Sequence, residues 1–425
     1  MHKLLLKFNF ETINNIALLL LAFSISFPQK VIIYTVGFWI LTCFPLLKFK
    51  TASKMKNVIN LPLFILAFLF LGRTLIAICH SDISIFAGKQ LFDTQLALLV
   101  LPVVLIFQEN KQTRIDKVLL TYVVGCFVSS VVVVACFYLF RFGVLDSSAH
   151  LLFVPLRDIN STFADDINLF QGYCSPFFKH RAGMGACLAV ATACLVYLAK
   201  KQRSLNLWRW IGICLTAVFF ASVIYATGSR SGLLSLFSVL VITLIYLLSA
   251  NKKMLVLGFL LIGLLLFGSL SLKTTRSLLI NEISSLDYNK IRTADDRFQI
   301  WESAIEIIKE HPFVGVGYSR VNSQLLEKYK TNGLIEFAKA RLKTHNQFLQ
   351  FSLESGIWAG VLYAVFLLPI YFGKENRYLS FSFSATFFFY SMFEDSLILI
   401  NGVSLLVFFI AILYLSDKNR KELAE

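Results

Sequence analysis

Charge is scarce in this chain. Asp, Glu, Lys and Arg together make up 15% of the residues, and 57% are apolar; a soluble domain carries about 25% charged residues. That deficit argues against a soluble multidomain protein, which would need several fully buried helices in succession. Acid is the scarcer sign, with 25 Asp+Glu against 40 Lys+Arg. In a chain this apolar, the basic excess reads as loops on the cytoplasmic side of a membrane, not as a nucleic-acid surface. No CxxC and no zinc-ligand spacing occurs, so neither a dithiol nor a metal centre is expected, and no cofactor is implied. Six of the eight cysteines (Cys43, Cys126, Cys136, Cys187, Cys194, Cys214) sit in apolar runs, where Cys behaves as a small hydrophobe. Only Cys79 and Cys174 lie outside such runs and could pair. There is no repeat of solenoid length and no low-complexity tract. The first apolar run lacks an A-x-A cleavage site and reads as a retained helix.

What the chain does have is long uncharged runs. Residues 210–229 carry no charge, and neither do 231–251. Runs of about 18 or more apolar residues predict transmembrane helices, whereas barrel strands would be shorter and alternating. Twelve spans are expected, at about 12–27, 31–47, 58–78, 92–107, 118–140, 182–199, 208–226, 231–249, 254–271, 346–372, 378–394 and 397–415. Every other connection is basic, from Lys48/Lys50/Lys54/Lys56 to Lys418/Arg420/Lys421. The positive-inside rule then places both termini in the cytoplasm. The expected fold is an all-α polytopic membrane protein in three parts. Residues 1–271 hold nine spans and an outer loop at about 141–181, residues 272–345 form a second long outer loop, and residues 346–425 hold three spans and the tail. Within the second loop, "DDRFQIWESAIEIIKEHP" predicts a helix capped by Asp295 or Asp296 and stopped by Pro312. Phe298, Trp301, Ile305 and Ile308 would share its apolar face. A further polar helix is expected at about 319–330.

Several polar residues stand where lipid disfavours them, and each has a plain structural reading beside a functional one. Arg230, in "YATGSRSGLL", falls in the outer turn between spans seven and eight. It could mark a helix end by snorkelling. Its neighbours Gly228, Ser229, Ser231 and Gly232 also permit close backbone approach and a helix N-terminus suited to an anion. Arg297 could pair with Asp295 or Asp296, or bind an anion. His345, in "KTHNQFLQFSLESGIWAG", enters span ten from outside, with Asn346 beside it and Glu354 further along. Its imidazole can take a proton near neutral pH. Arg73 inside span three, and His180 with Arg181 at the start of span six, read as snorkellers or further anion ligands. Glu394 and Asp395 in the last outer turn could pair with nearby cations. Arg230, Arg297 and His345 thus fall on one face of the membrane. Two cations suit a diphosphate, a histidine suits an attacking hydroxyl, and an apolar body suits a lipid tail.

The same residues carry a resemblance. "TGSRSGLLSL" followed by an outer loop with Arg297, Trp301, Pro312, Gly315 and Gly317, then His345-Asn346 and Glu354-x-Gly356, resembles the O-antigen ligase and polymerase superfamily of bacterial membrane glycosyltransferases. The likeness is strongest over about 225–365. It implies a C-type glycosyltransferase fold in the inner membrane with a periplasmic active site. It implies a glycan donor on undecaprenyl diphosphate, and lipid A–core or another glycan as acceptor. It further implies metal-independent, inverting transfer. By the resemblance, Arg230 and Arg297 would hold the diphosphate and His345 would activate or orient the acceptor hydroxyl. Arg73, His180, Arg181, Asn346, Glu354 and Glu394 are secondary candidates. Members of the superfamily divide by acceptor into ligases, polymerases and protein O-glycosylation enzymes; the moderate loop favours a ligase. A lipid or solute transporter is the alternative of another class, but internal symmetry and broken helices are not apparent in the sequence.

Overall fold

A computed structural model describes residues 2–47, 61–79, 95–107, 114–141, 150–151, 154–155, 181–202, 207–248, 296–369, 377–397 and 400–424. Among the described residues, the regular elements are helices and one antiparallel pair of two-residue strands, β1 (His150–Leu151) and β2 (Val154–Pro155). The helices are α1 (His2–Ser24), α2 (Gln29–Cys43), α3 (Leu61–Cys79), α4 (Ala97–Phe107) and α5 (Ile115–Arg141). Then follow α6 (Arg181–Lys201), α7 (Leu207–Ala226), α8 (Arg230–Leu248), α9 (Asp296–Glu310) and α10 (Val321–Thr331). The last are α11 (Ile335–Ala340), α12 (Gln347–Ser355), α13 (Ile357–Phe366), α14 (Arg377–Phe393) and α15 (Ile400–Ala424).

Among the described residues, six helical segments are long and apolar enough to cross a membrane: Gln29–Leu46, Leu61–Cys79, Ile115–Leu139, Arg181–Lys201, Leu207–Ala226 and Arg230–Leu247. Helices are the expected form for such segments, because lipid offers backbone groups no partner and a helix satisfies them internally. The segment expected at 254–271 lies outside the described residues. So does most of the 141–181 loop, including Cys174 and His180.

One expected span differs in kind. Residues 346–372 read as a single helix in the sequence, but the chain breaks at Gly356, with α12 before it and α13 after it. Gly356 has φ 100° and ψ 165°, a conformation that only glycine adopts readily. The break leaves the last carbonyls of α12 without helical partners. The preceding loop supplies them: Val316 N–H donates to Leu353 O (2.7 Å) and Gly317 N–H to Glu354 O (3.1 Å). In return, Ile357 N–H donates to Pro312 O (2.8 Å). A Cβ on Gly315 would collide with the Leu353 carbonyl, and one on Gly356 with the Phe313 carbonyl. The Pro312-x-x-Gly315-x-Gly317 and Glu354-x-Gly356 patterns are therefore two sides of one backbone junction.

The main core runs through the helix bundle, with α15 buried from Val403 to Leu415. Its packing sets helix directions. Gly185 of α6 and Gly232 of α8 meet backbone to backbone, and Lys200 Nζ donates to Tyr246 O (3.2 Å), so α6 and α8 run parallel. Ser235 Oγ donates to Thr386 O (3.2 Å), and Thr243 meets the Tyr378 hydroxyl (2.7 Å). Eight residues along α8 thus match eight back along α14, and these two are antiparallel. Lys201 and Asp116 pair at one end of the bundle. Arg181, Arg230 and the turn after Phe393 lie at the other.

A second, smaller core sits between α9, α10 and α12. It holds Ile300, Ala304, Ile307, Ile308, Val316, Val321, Leu325, Tyr329 and Leu353. Helix α9 forms where expected, ahead of Pro312; of its expected apolar face, Ile308 is buried and Trp301 packs against this core. Phe298 and Ile305 are exposed, whereas Ile300, Ala304 and Ile307 are buried. Leu325, Tyr329 and Leu353 belong to the same buried cluster as Ile300, Ala304 and Ile307.

Candidate functional site

The site is built around one residue in an uncommon backbone conformation. His345 has φ 46°, the left-handed region that non-glycine residues rarely enter. Its two neighbours hold it there. Thr344 Oγ1 donates to Asp395 Oδ1 (2.7 Å), and Asn346 N–H donates to the same oxygen (3.0 Å). Trp301 Nε1 of α9 donates to Thr344 O (3.0 Å). One carboxylate and one indole thus clamp the backbone on both sides of His345 and turn its ring outward. Asn346 is spent locally. Its Oδ1 accepts from Phe348 N–H (3.0 Å) and Leu349 N–H (3.1 Å), which makes it the N-cap of α12.

Outside this clamp, three charged groups meet. His345 Nδ1 lies 3.4 Å from Glu394 Oε2, and Arg297 Nη2 lies 3.7 Å from Glu394 Oε1. The Arg297 guanidinium also stands over the Phe393 ring, 5.6 Å from its centroid. These groups are partly exposed, at 31% for His345, 22% for Arg297 and 13% for Glu394. The hydrogen bond to Glu394 raises the His345 pKa, against the effect of burial; Asp395 adds to the rise and Arg297 opposes it. Burial pushes the Asp395 carboxyl up, partly offset by its bond from Thr344 and by His345. Arg297 therefore pairs across the fold with Glu394; Asp295 and the side chain of Asp296, the local partners its sequence neighbourhood allowed, lie outside the described residues.

Arg230 opens α8 and is exposed. Ser229 caps that helix, accepting from Gly232 N–H through Oγ (3.1 Å). Gly232 serves close approach of a backbone, that of α6. Ser235 is level with Thr386, so Arg230, five residues earlier, is level with Ser391, three residues before Glu394. Arg181 begins α6, four residues above Gly185, and shares this end. The structure thus brings Arg297, His345 and Glu394 into contact and sets Arg230 and Arg181 at the same end of the bundle.

Arg73 and Glu354 belong elsewhere. Arg73 is 2% exposed and Glu354 1%. Arg73 pairs with Glu354 through Nε (2.8 Å) and Nη2, donates to Gln95 through Nη1, and stacks over Phe351 at 4.0 Å. Glu354 also accepts from Gln350 Nε2 (2.8 Å). Arg73 is therefore neither a snorkelling cation nor open to an outside anion. The pair ties α3 to the broken helix.

Asp395 was visible in the sequence only as a carboxylate beside Glu394; its clamp on Thr344 and Asn346 was not. Among the described residues, no three His, Cys, Asp or Glu side chains are grouped to hold a metal ion.

Comparison with known proteins bears on this arrangement. The sequence model of the O-antigen ligase family matches residues 215–364. That stretch contains Arg230, Arg297 and His345 and ends in α13. A ComP-specific O-oligosaccharyltransferase of Acinetobacter baylyi is 26% identical over 204 residues, 45% of this chain and 34% of the relative. An uncharacterized protein of Haemophilus influenzae is 26% identical over 232 residues, covering 49% of this chain and 56% of the relative. The chain thus spans about a third to a half of the curated relatives it matches.

Proposed function

Starting from an O-antigen ligase domain at residues 215–364, we propose that this protein is a membrane glycosyltransferase. It moves a glycan from undecaprenyl diphosphate to a sugar hydroxyl of lipid A–core, on the periplasmic face of the inner membrane. The observation that carries the reading is the meeting of Arg297 and His345 at Glu394, with Arg230 level with that cluster. Two guanidiniums at one end of an apolar bundle suit the two phosphates of a lipid diphosphate, and bidentate Arg contacts are the strong ones. That side of the membrane lacks ATP, so the donor brings its own leaving group.

In this reading the acceptor oxygen attacks the anomeric carbon opposite the diphosphate. The carbon–oxygen bond to the diphosphate breaks, and its electron pair leaves on the lipid diphosphate, where Arg230 and Arg297 stabilise the charge. The acceptor proton passes to Nε2 of His345, whose Nδ1 faces Glu394. One glycosidic bond replaces one glycosyl phosphate bond, with inversion. Arg181 is a secondary anion contact at the same end, and His180 its candidate neighbour in sequence. The basic loops lie in the cytoplasm, with both termini.

A protein Ser or Thr as acceptor is a second reading, favoured by the Acinetobacter relative, which is named as an O-oligosaccharyltransferase. A repeat-unit polymerase is the third. Purified protein in lipid nanodiscs, given undecaprenyl-diphosphate glycan and lipid A–core, should form the linked product. His345→Ala transferring as fast as wild type removes the assigned role, and full activity in Arg230→Lys removes bidentate binding there. In a deletion strain, accumulating lipid-linked polymer indicates a ligase and accumulating single repeats a polymerase.

A further inference from the structure

Glu394 is in an odd position for a carboxylate beside a diphosphate site. One oxygen faces Arg297 at 3.7 Å and the other faces His345 at 3.4 Å. Both distances exceed the roughly 2.7–2.9 Å of a tight charge-assisted bond. Its contact with His345 is a long hydrogen bond, and its contact with Arg297 is an ion pair beyond hydrogen-bond reach. Its neighbour Asp395 differs: it takes two good hydrogen bonds, at 2.7 and 3.0 Å, and fixes the backbone. Two adjacent acids therefore have separate tasks, one anchoring the loop and one resting between the groups assigned to donor and acceptor.

We propose that Glu394 is a positioning residue that stands in for the diphosphate when no donor is bound, and that gives up Arg297 but keeps His345 when the donor arrives. The proposal rests on the transferase reading. The physical basis is competition for one cation. Arg297 can face the Glu394 carboxylate or a phosphate oxygen, and a phosphate carries more negative charge. Seating the diphosphate repels Glu394 from Arg297. The carboxylate keeps its contact with His345, and that Nδ1 contact orients Nε2 toward the acceptor. Donor binding and readiness of the base become one event, which keeps His345 from being fully poised in an empty site.

The expected signature is a split between binding and turnover. In Glu394→Gln, Arg297 loses its contact with the Glu394 charge, so undecaprenyl diphosphate in nanodiscs binds about two- to fivefold tighter, the scale of one partly exposed ion pair. Turnover falls about 10- to 100-fold as His345 loses its anionic partner. The groups facing His345 are Glu394, Asp395 and Arg297. Removing the Glu394 charge lets the His345 pKa fall, so the acid limb of the rate profile moves to lower pH. Weaker or unchanged donor binding in Glu394→Gln overturns the proposal, as does an unmoved acid limb. A check needs no variant: in the wild type, undecaprenyl diphosphate should alter hydrogen exchange across residues 391–397, and an unaltered segment also overturns it. Arg297→Ala separates the two levels. Wild type that fails to bind the lipid, or binding that survives Arg297→Ala, sinks the donor reading itself. Binding that Arg297→Ala abolishes and Glu394→Gln leaves unchanged sinks the Glu394 assignment alone.

Discussion

Arg73 and Arg297 each meet a glutamate from a distant part of the chain, and the two pairs differ in almost everything else. Arg73 and Glu354 are buried at 2% and 1% exposure, with Gln95 and Gln350 taking up further donors and acceptors. Arg297 and Glu394 are 22% and 13% exposed, 3.7 Å apart, with a histidine sharing the carboxylate. A buried charge pair cannot lose a member cheaply, because the survivor has no water to turn to. A partly wetted pair can exchange partners. The first pair is therefore read as structure and the second as site, though both are arginines that the sequence alone offers as anion ligands.

The largest effects should separate them. Arg73→Ala leaves Glu354 buried without its cation and should destabilise the protein by about 3–5 kcal/mol, seen as a large fall in the unfolding midpoint in detergent. Replacing Arg73 and Glu354 together by Met and Leu should cost much less, because no charge is then stranded. Arg297→Ala should change stability by less than about 1 kcal/mol, while transfer drops by at least about 100-fold. Equal unfolding midpoints for Arg73→Ala and Arg297→Ala would erase the distinction.

The junction that carries Glu354 offers the next test. Gly356→Ala and Gly315→Ala each put a methyl onto a facing carbonyl at positive φ, and each should destabilise by about 2–4 kcal/mol. Gly333 also has positive φ, at 73°, but faces open space. Gly333→Ala should therefore lose only the backbone contribution, about 1 kcal/mol. Comparable midpoints for all three variants would mean that the loop does not bear on the helix break. Of intermediate size is Asp395→Ala, which strands the Asn346 N–H and shifts the Thr344 hydroxyl to Gln350 Oε1. About 1–3 kcal/mol is expected, with a loss of transfer that Asp395→Glu does not restore, since a longer acid moves the clamp.

Much of this architecture was legible because lipid imposes simple rules. Uncharged runs marked the helices, and Pro312 marked the end of α9. Ser229 and its glycines marked the start of α8. What stayed hidden depends on partners far away in sequence. Arg73 reads as a lone cation in an apolar run until Glu354, 281 residues on, is folded against it. The break at Gly356 leaves no trace in hydropathy, since a single φ value interrupts an otherwise apolar stretch. The apolar face read for α9 is divided in the fold: Ile308 and Trp301 join the small core, while Phe298 and Ile305 stay exposed and Ile300, Ala304 and Ile307 are buried with residues of α10 and Leu353. Within the site, residue types pointed to Arg297 and His345, but no spacing rule says that Glu394 lies between them.

The smallest effect belongs to the opposite end of the bundle. Lys201 Nζ meets both oxygens of Asp116 at 2.7 Å, shorter than either contact of Glu394. Geometry alone would rank it as the stronger interaction. Its side chains are 56% and 45% exposed, so water and salt compete for both charges. Lys201→Ala should shift stability by only about 0.2–1 kcal/mol, and the shift should shrink further when ionic strength rises. Transfer should be unaffected, because the pair lies a helix length from His345. A pair that is short but wet then adds no more to stability than the longer Arg297–Glu394 pair and nothing to transfer, which locates the importance of an ion pair in its surroundings, not its length. A salt-independent loss of more than about 2 kcal/mol in Lys201→Ala would contradict that ordering.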